Sequence, residues 1–188
     1  AFEGARKRRK KVTSITKSNA LQFGMTLWDE AFGEVAKNYP DVQASSLLVD
    51  AAAMDFVRKP EVFDVVVASN LFGDILTDLS AAVTGSIGLA ASANINPERV
   101  YPSMFEPVHG SAPDIAGKGI ANPLAAVLSA ALMLDHLNLA KSAAALRDAV
   151  SKVLAEAKVK TPDLGGKHTT TEMGDAVVAA ITKKTITG

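Results

Sequence analysis

The sequence has no cysteine among its 188 residues, which excludes disulfides and thiolate metal sites. That suits a reducing compartment, and a cytoplasmic setting is the expectation. It has no net charge either: twenty basic and twenty acidic residues cancel, so no overall field draws it to nucleic acid or to an anionic membrane. No apolar run approaches the roughly 18 residues that cross a bilayer, the longest candidate being Leu124 to Leu134. No secretory signal is visible, no repeat, and no low-complexity tract. There is no G-x-G-x-x-G, so a Rossmann-type cofactor site has no support. What is present is an apolar fraction of 48%, enough to build a folded core. The first residue is Ala1 rather than Met, and Ala1 to Arg9 reads as a helix already under way. The expectation is a chain cut at its N-terminus.

Lys7-Arg8-Arg9-Lys10-Lys11 is the one dense charge run. It reads either as a nucleic-acid patch or as cations complementing a helix C-terminus, and the second is favoured because no aromatic residue interleaves it.

Strands and helices alternate along the chain, which predicts an α/β architecture. Val12 to Thr16 reads as a strand. A helix over 26–38 shows Leu27, Ala31, Phe32 and Val35 at helical spacing and stops at Tyr39-Pro40. Ser45 to Val49 is strand-like and Ala51 to Arg58 helical. Val62 to Ala68, with three consecutive valines, predicts a strand covered on both faces. A helix follows over 73–83, and a turn at Thr84 to Gly88 marks a plausible domain crossover. Strand-like pieces recur near Leu89 to Ser92 and Met104 to Pro107. Residues 109–122 form a loop rich in Gly, Pro and Ala. Asn122-Pro123 then supplies a cap and a first-turn proline for the next helix. Two more helices fit 141–157 and 172–181.

Three features carry chemistry. Asp74 and Asp78 stand at i and i+4, one turn apart on one helix face. Such a pair suits Mg²⁺ or Mn²⁺, hard ions that prefer carboxylate oxygen, although a solvated helix face explains the pair equally well. Two carboxylates are too few, so a third ligand is needed. Asp50, at a strand-to-helix junction, is the candidate, and it could also cap the Ala51 helix. Lys17 ends the first strand. It is either a proton-handling lysine or an ordinary surface lysine.

Taken together, Thr16-Lys17-Ser18-Asn19, Val49-Asp50-Ala51, the run from Phe63 to Asp78 and the run from Phe105 to Gly117 resemble the β-decarboxylating dehydrogenases that act on isopropylmalate, isocitrate, homoisocitrate and tartrate or D-malate. The resemblance covers essentially the whole chain, in the family's order and spacing. It implies the C-terminal half of the two-domain isopropylmalate-dehydrogenase-like fold, not a Rossmann fold, with the N-terminal half absent. Residues 1–84 would belong to the central dimerisation and metal-binding domain, and 85–188 would be the C-terminal part of the NAD-binding domain.

The resemblance also implies roles. Asp74 and Asp78 hold a divalent metal, joined by Asp50 from the other subunit of a homodimer whose active sites are shared. Lys17 and Asp50 are the catalytic residues, Lys17 likewise reaching the partner's site. Helices 51–58 and 74–83 pair across the dimer, with Met54, Leu71, Ile75 and Leu79 in contact. The 109–122 loop is the adenine-nucleotide site: Gly110, Ser111 and Ala112 admit the dinucleotide backbone, Asp114 takes the ribose hydroxyls, and His109 and Asn122 lie by the adenine. Asn19 joins these as a cofactor-binding residue. A carboxylate at 114 favours NAD over NADP. His109 could instead be a buried structural imidazole.

The expected activity is NAD-dependent oxidative decarboxylation of a small 2-hydroxy dicarboxylic acid. Stretches 16–19, 67–73 and 91–99 lean toward the tartrate and D-malate members, with 3-isopropylmalate the alternative. The 188 residues alone are expected to be inactive. A non-catalytic regulatory or dimerisation subunit is the competing reading from another class, and intact Lys17, Asp50, Asp74 and Asp78 count against it. A nucleic-acid module would rest on Lys7 to Lys11 alone, and neither nucleic acid nor membrane is an expected partner.

Overall fold

The computed structural model describes residues 1–181, in which two compact units are distinguished, one of residues 1–83 and one that begins at Thr84. In the first unit, β1 (Lys11–Thr16), β2 (Gln43–Leu48) and β3 (Val65–Val67) form a parallel sheet in the order β2-β1-β3. Val12 lies opposite Ala44 on one side and Val65 on the other. Helices α1 (Phe2–Arg6), α2 (Gly24–Ala36), α3 (Val49–Arg58) and α4 (Asn70–Thr84) connect and cover the strands.

Side chains of a strand alternate between faces, so three adjacent valines must serve both. Val65 and Val67 pack with Phe2, Ala5, Val12, Phe32 and Tyr39. Val66 joins the other cluster, built on Ile15, Ala52, Phe72 and Leu76. The central strand is buried from Val12 to Thr16, and its polar members are paired: Thr13 Oγ1 lies 3.2 Å from Ser45 Oγ, and Ser14 Oγ accepts from Trp28 Nε1 at 2.8 Å.

β3 departs from expectation. It is three residues long, because Pro60–Val62 turns as a 3₁₀ helix, and it sits half-buried at the sheet edge. Open grooves flank it. One, of about 270 Å³, is lined by Phe2, Trp28, Phe32 and Val67; the other, of about 340 Å³, by Phe56, Phe63, Val66 and Leu76.

The basic run also behaves differently from the expected dipole complement. α1 ends at Arg6, and the cations after it grip the entry to β3. Arg8 Nε donates to Asp64 Oδ1 at 2.8 Å, and the Arg9 backbone N–H to Asp64 Oδ2 at 3.0 Å. Arg9 and Lys11 reach the Glu61 and Val62 carbonyls at 2.9 Å each. The Asp64 side chain is 1% exposed, and the hydrogen bond from Arg8 holds its carboxyl below the usual range. On α2, Leu27, Ala31 and Val35 face outward, while Met25, Trp28, Phe32 and Ala36 turn inward. Of the expected stripe, only Phe32 packs against the sheet cluster.

In the second unit, β4 (Ala91–Asn94) and β5 (Met104–Pro107) pair as an antiparallel hairpin. α5 (Leu124–His136) packs on the hairpin and on α6 (Ala140–Glu156), which packs on α7 (Thr170–Ala180). Leu124, Ala149, Val150, Val153, Met173 and Val177 form the core. α7 opens with a capping box, in which the Thr169 hydroxyl accepts from the Glu172 backbone N–H and the Glu172 carboxylate accepts from the Thr169 backbone N–H. No helix among the described residues is long and apolar enough to cross a membrane.

Candidate functional site

In a parallel sheet, groups that follow the strands' C-terminal ends collect along one edge, where ligands of α/β folds bind. Here Lys17 follows β1, Asp50 follows β2, and α4, carrying Asp74 and Asp78, follows β3. The register pairs Thr16 with Leu48, which brings the first two ends side by side. Lys17 Nζ donates to Asp50 Oδ1 at 2.6 Å, with the two side chains 28% and 64% exposed. That hydrogen bond holds the Asp50 carboxyl below the usual range. Asp50 does not cap its helix: the cap position of α3 is Leu48, and Asp50 stands in the first turn.

Asp74 and Asp78 are exposed on α4, whose inward face carries Phe72, Leu76 and Ala81. Asn70, one turn earlier, donates from Nδ2 to Asp74 Oδ2 at 3.2 Å. Leu71 and Ile75 are exposed on the same helix, as are Met54 and Val57 on α3, whereas Leu79 is half-buried. Among the described residues no three His, Cys, Asp or Glu side chains gather closely enough to hold a metal ion. Asp50 therefore does not complete a ligand set with Asp74 and Asp78 inside one chain. The donors are nonetheless hard carboxylate oxygens on a rigid helix face, a chemistry that fits Mg²⁺ or Mn²⁺ when a further carboxylate is supplied. Asn19 lies exposed in the turn after β1, where the Ala20 N–H reaches the Lys17 carbonyl at 2.9 Å.

In the second unit, residues 109–122 form no helix or strand. His109 is half-buried, its Nδ1 3.0 Å from the Gly110 carbonyl oxygen. Gly110, Ser111, Ala112 and Asp114 are exposed. The Ala112 carbonyl accepts the N–H groups of Ile115 and Ala116 at 3.0 and 3.2 Å, closing a turn that places Ala112 at φ +44°. Left-handed backbone at a residue with a Cβ is uncommon and costs roughly 1–2 kcal/mol. Asn122 differs from its neighbours in being buried. Both ends of its amide are engaged, Nδ2 with Asp163 at 2.9 Å and Oδ1 with the Leu124 N–H at 3.0 Å. The expected cap is displaced by one residue: the cap position of α5 is Pro123, which no side chain caps, and Asn122 holds the Leu124 N–H from one residue further out, so any contact from Asn122 to a nucleotide falls to its backbone.

The sequence alone gives no role to Asp163. Its carboxylate accepts from Ser86, Thr161 and Asn122. Burial pushes the carboxyl up, and these hydrogen bonds outweigh burial and hold it below the ordinary range.

A family model described as isocitrate/isopropylmalate dehydrogenase matches residues 1–177. The chain is 54% identical to a probable tartrate dehydrogenase/decarboxylase of Bacillus subtilis, over 97% of this chain and 51% of that protein. It is 56% identical to a 3-isopropylmalate dehydrogenase of Streptomyces griseus, over 96% of this chain and 51% of that one. Among solved structures, an isocitrate dehydrogenase from Methylococcus capsulatus superposes with a TM-score of 0.91 at 44% identity, covering 96% of this chain and 53% of its own. The chain thus spans about half the length of the curated relatives it matches.

Proposed function

The chain belongs to the isocitrate/isopropylmalate dehydrogenase family, and from that premise we propose that it forms part of an NAD-dependent enzyme that oxidatively decarboxylates a small 2-hydroxy dicarboxylic acid of the tartrate or D-malate type. The observation that carries the proposal is the sheet edge, where the Lys17–Asp50 pair follows two parallel strands and the Asp74–Asp78 face follows the third. The reaction removes a hydride from C2 and a proton from its hydroxyl. The 2-oxo acid that results carries a carboxylate β to the new carbonyl and loses it as CO₂, and the enolate takes up a proton. A bound divalent ion supplies Lewis acidity at the C2 oxygen, and NAD accepts the hydride.

Asp74 and Asp78 would hold the ion, with the partner subunit's Asp50 as third carboxylate. Lys17, held in place by Asp50, would move a proton at the C2 oxygen or at the enol carbon of the partner's site. The apolar groups beside the carboxylates favour a second copy of the chain. Met54 and Val57 on α3, with Leu71 and Ile75 on α4, present an exposed apolar surface of the kind that homodimers cover. The second unit would hold the dinucleotide through His109, Gly110, Ser111, Ala112 and the backbone of Asn122, with Asn19 also near the cofactor. The exposed Asp114 carboxylate would take the adenosine ribose hydroxyls and repel a 2′-phosphate, hence NAD rather than NADP. A cytoplasmic setting belongs to the same reading.

Activity on 3-isopropylmalate is the second reading, favoured by the 56% identity to the Streptomyces enzyme. The test is NADH formation by the whole polypeptide with D-malate, L-tartrate and 3-isopropylmalate in parallel, with and without Mn²⁺. Metal-dependent turnover of D-malate or tartrate is expected. Turnover of 3-isopropylmalate alone would transfer the assignment, and no turnover of any would refute it.

A further inference from the structure

Asn122 ends the 109–122 loop and cannot swing freely, because each end of its amide is committed. The partner of its Nδ2, Asp163, lies 41 positions away and is itself pinned. Its Oδ2 also accepts from the Ser86 hydroxyl, and its Oδ1 accepts from Thr161 Oγ1 at 2.5 Å. Ser86 Oγ in turn accepts the Gly88 N–H at 2.9 Å. The packing leaves no slack, since a Cβ on Gly88 would stand 2.8 Å from both Asn122 Cβ and Asp163 Oδ2. Just upstream, Thr170 holds the same stretch of loop. Its N–H donates to the Gly119 carbonyl at 2.8 Å and its hydroxyl to the Ala121 carbonyl at 2.6 Å. These anchors all issue from residues 163–170. The exposed part of the loop, around Ala112 to Lys118, is held chiefly by turns of its own backbone.

We propose that Asp163 is a positioning residue for the dinucleotide: together with Thr170 it fixes the backbone of residues 119–122 in the shape that receives the adenine end. The inference rests on the reading of the 109–122 loop as the nucleotide site. Its physical basis is preorganisation. A loop already held in its bound shape loses little conformational freedom when ligand arrives, and a released loop must be ordered at the expense of affinity.

The test compares three variants of the whole polypeptide. D163N places an amide donor among donors and releases Asn122. T170V removes one anchor at Ala121. V150A opens a gap in the helical core of the second unit, outside the Asp163 network, and serves as a destabilised control. NADH dissociation constants and the KM for NAD should rise roughly tenfold in D163N and severalfold in T170V, from the loss of charge-assisted and neutral hydrogen bonds respectively. The KM for the hydroxy acid should stay within about twofold. V150A should melt earlier while binding NADH as the unaltered protein does. A purely structural role would make NADH affinity follow melting temperature across all three, and that result, or unchanged NADH affinity in D163N, would overturn the inference. If the unaltered protein binds no NADH, the nucleotide-site reading falls and takes this inference with it. If it does bind and D163N binds equally, the reading stands and only the role of Asp163 is lost.

Discussion

Gly165 and Gly166 are adjacent, yet alanine at each should fail for a different reason and by a different amount. The loop from Lys160 to His168 folds back on itself. The N–H groups of Leu164 and Gly166 both reach the Thr161 carbonyl at 3.0 Å, and the His168 N–H reaches the Lys160 carbonyl at 2.9 Å. A Cβ on Gly166 would lie 2.0 Å from that Lys160 oxygen and 2.5 Å from its carbonyl carbon, where 3.4–4 Å is ordinary contact. Backbone cannot rotate out of the way, so G166A must displace residue 160 and break its bond to His168. Overpacking costs about 1–3 kcal/mol and the lost hydrogen bond about 1, for a total of about 2–4 kcal/mol. Gly165 has open space around it but sits at φ +76°. G165A meets only the left-handed penalty, partly offset by a stiffer unfolded chain, for a net of about 1 kcal/mol. Urea unfolding of both variants, followed by far-UV circular dichroism, gives the two differences directly. If G166A proves no more destabilising than G165A, the tight approach at Lys160 is wrong, and with it the rigidity assigned to the loop that carries Asp163.

Asp74→Asn or Asp78→Asn should leave the melting temperature unchanged, since both groups are exposed, while metal-dependent turnover falls by at least roughly a hundredfold; NADH formation across a Mn²⁺ titration checks this. Leu76→Ala, at 2% exposure in the Ile15–Ala52–Phe72 cluster, should cost about 2–5 kcal/mol in denaturant unfolding. The Glu172 carboxyl is held below its ordinary range, first by the Thr169 backbone N–H and then by its hydroxyl. A folded pKa below the unfolded one gives stability that is complete above the unfolded pKa of about 4.3 and lost as pH falls through the folded value. Glu172→Gln should therefore flatten the decline of melting temperature below about pH 5 relative to the unaltered protein, and equal slopes would refute this contribution.

Local signals carried much of the fold. The strand at Val12 and the α3 and α4 helices were legible because each follows from spacing within a few residues. The outward face of α2 was not, because Leu27 and Val35 are as apolar as Trp28 and Phe32, and only the sheet decides which set turns inward. β3 was overrun because Asp64, which ends its approach, is anchored by arginines more than fifty positions away. Of the candidate site, the types and order of Lys17, Asp50, Asp74 and Asp78 were readable, and so was their place after strands. The Lys17–Asp50 bond was not, because it depends on the register between β1 and β2. Asp163 was invisible as a hub for the same kind of reason. Its partner Ser86 stands 77 positions away, and nothing local to either residue announces the other.

The separation of the Lys17–Asp50 pair from the Asp74–Asp78 face has a genetic corollary under the shared-site arrangement proposed above. Chains disabled at Lys17 and chains disabled at Asp78 would each be inert when pure. Refolded together, every hybrid pair would retain one undamaged centre, so lost turnover would return by complementation, whereas two preparations both disabled at Lys17 would never rescue each other.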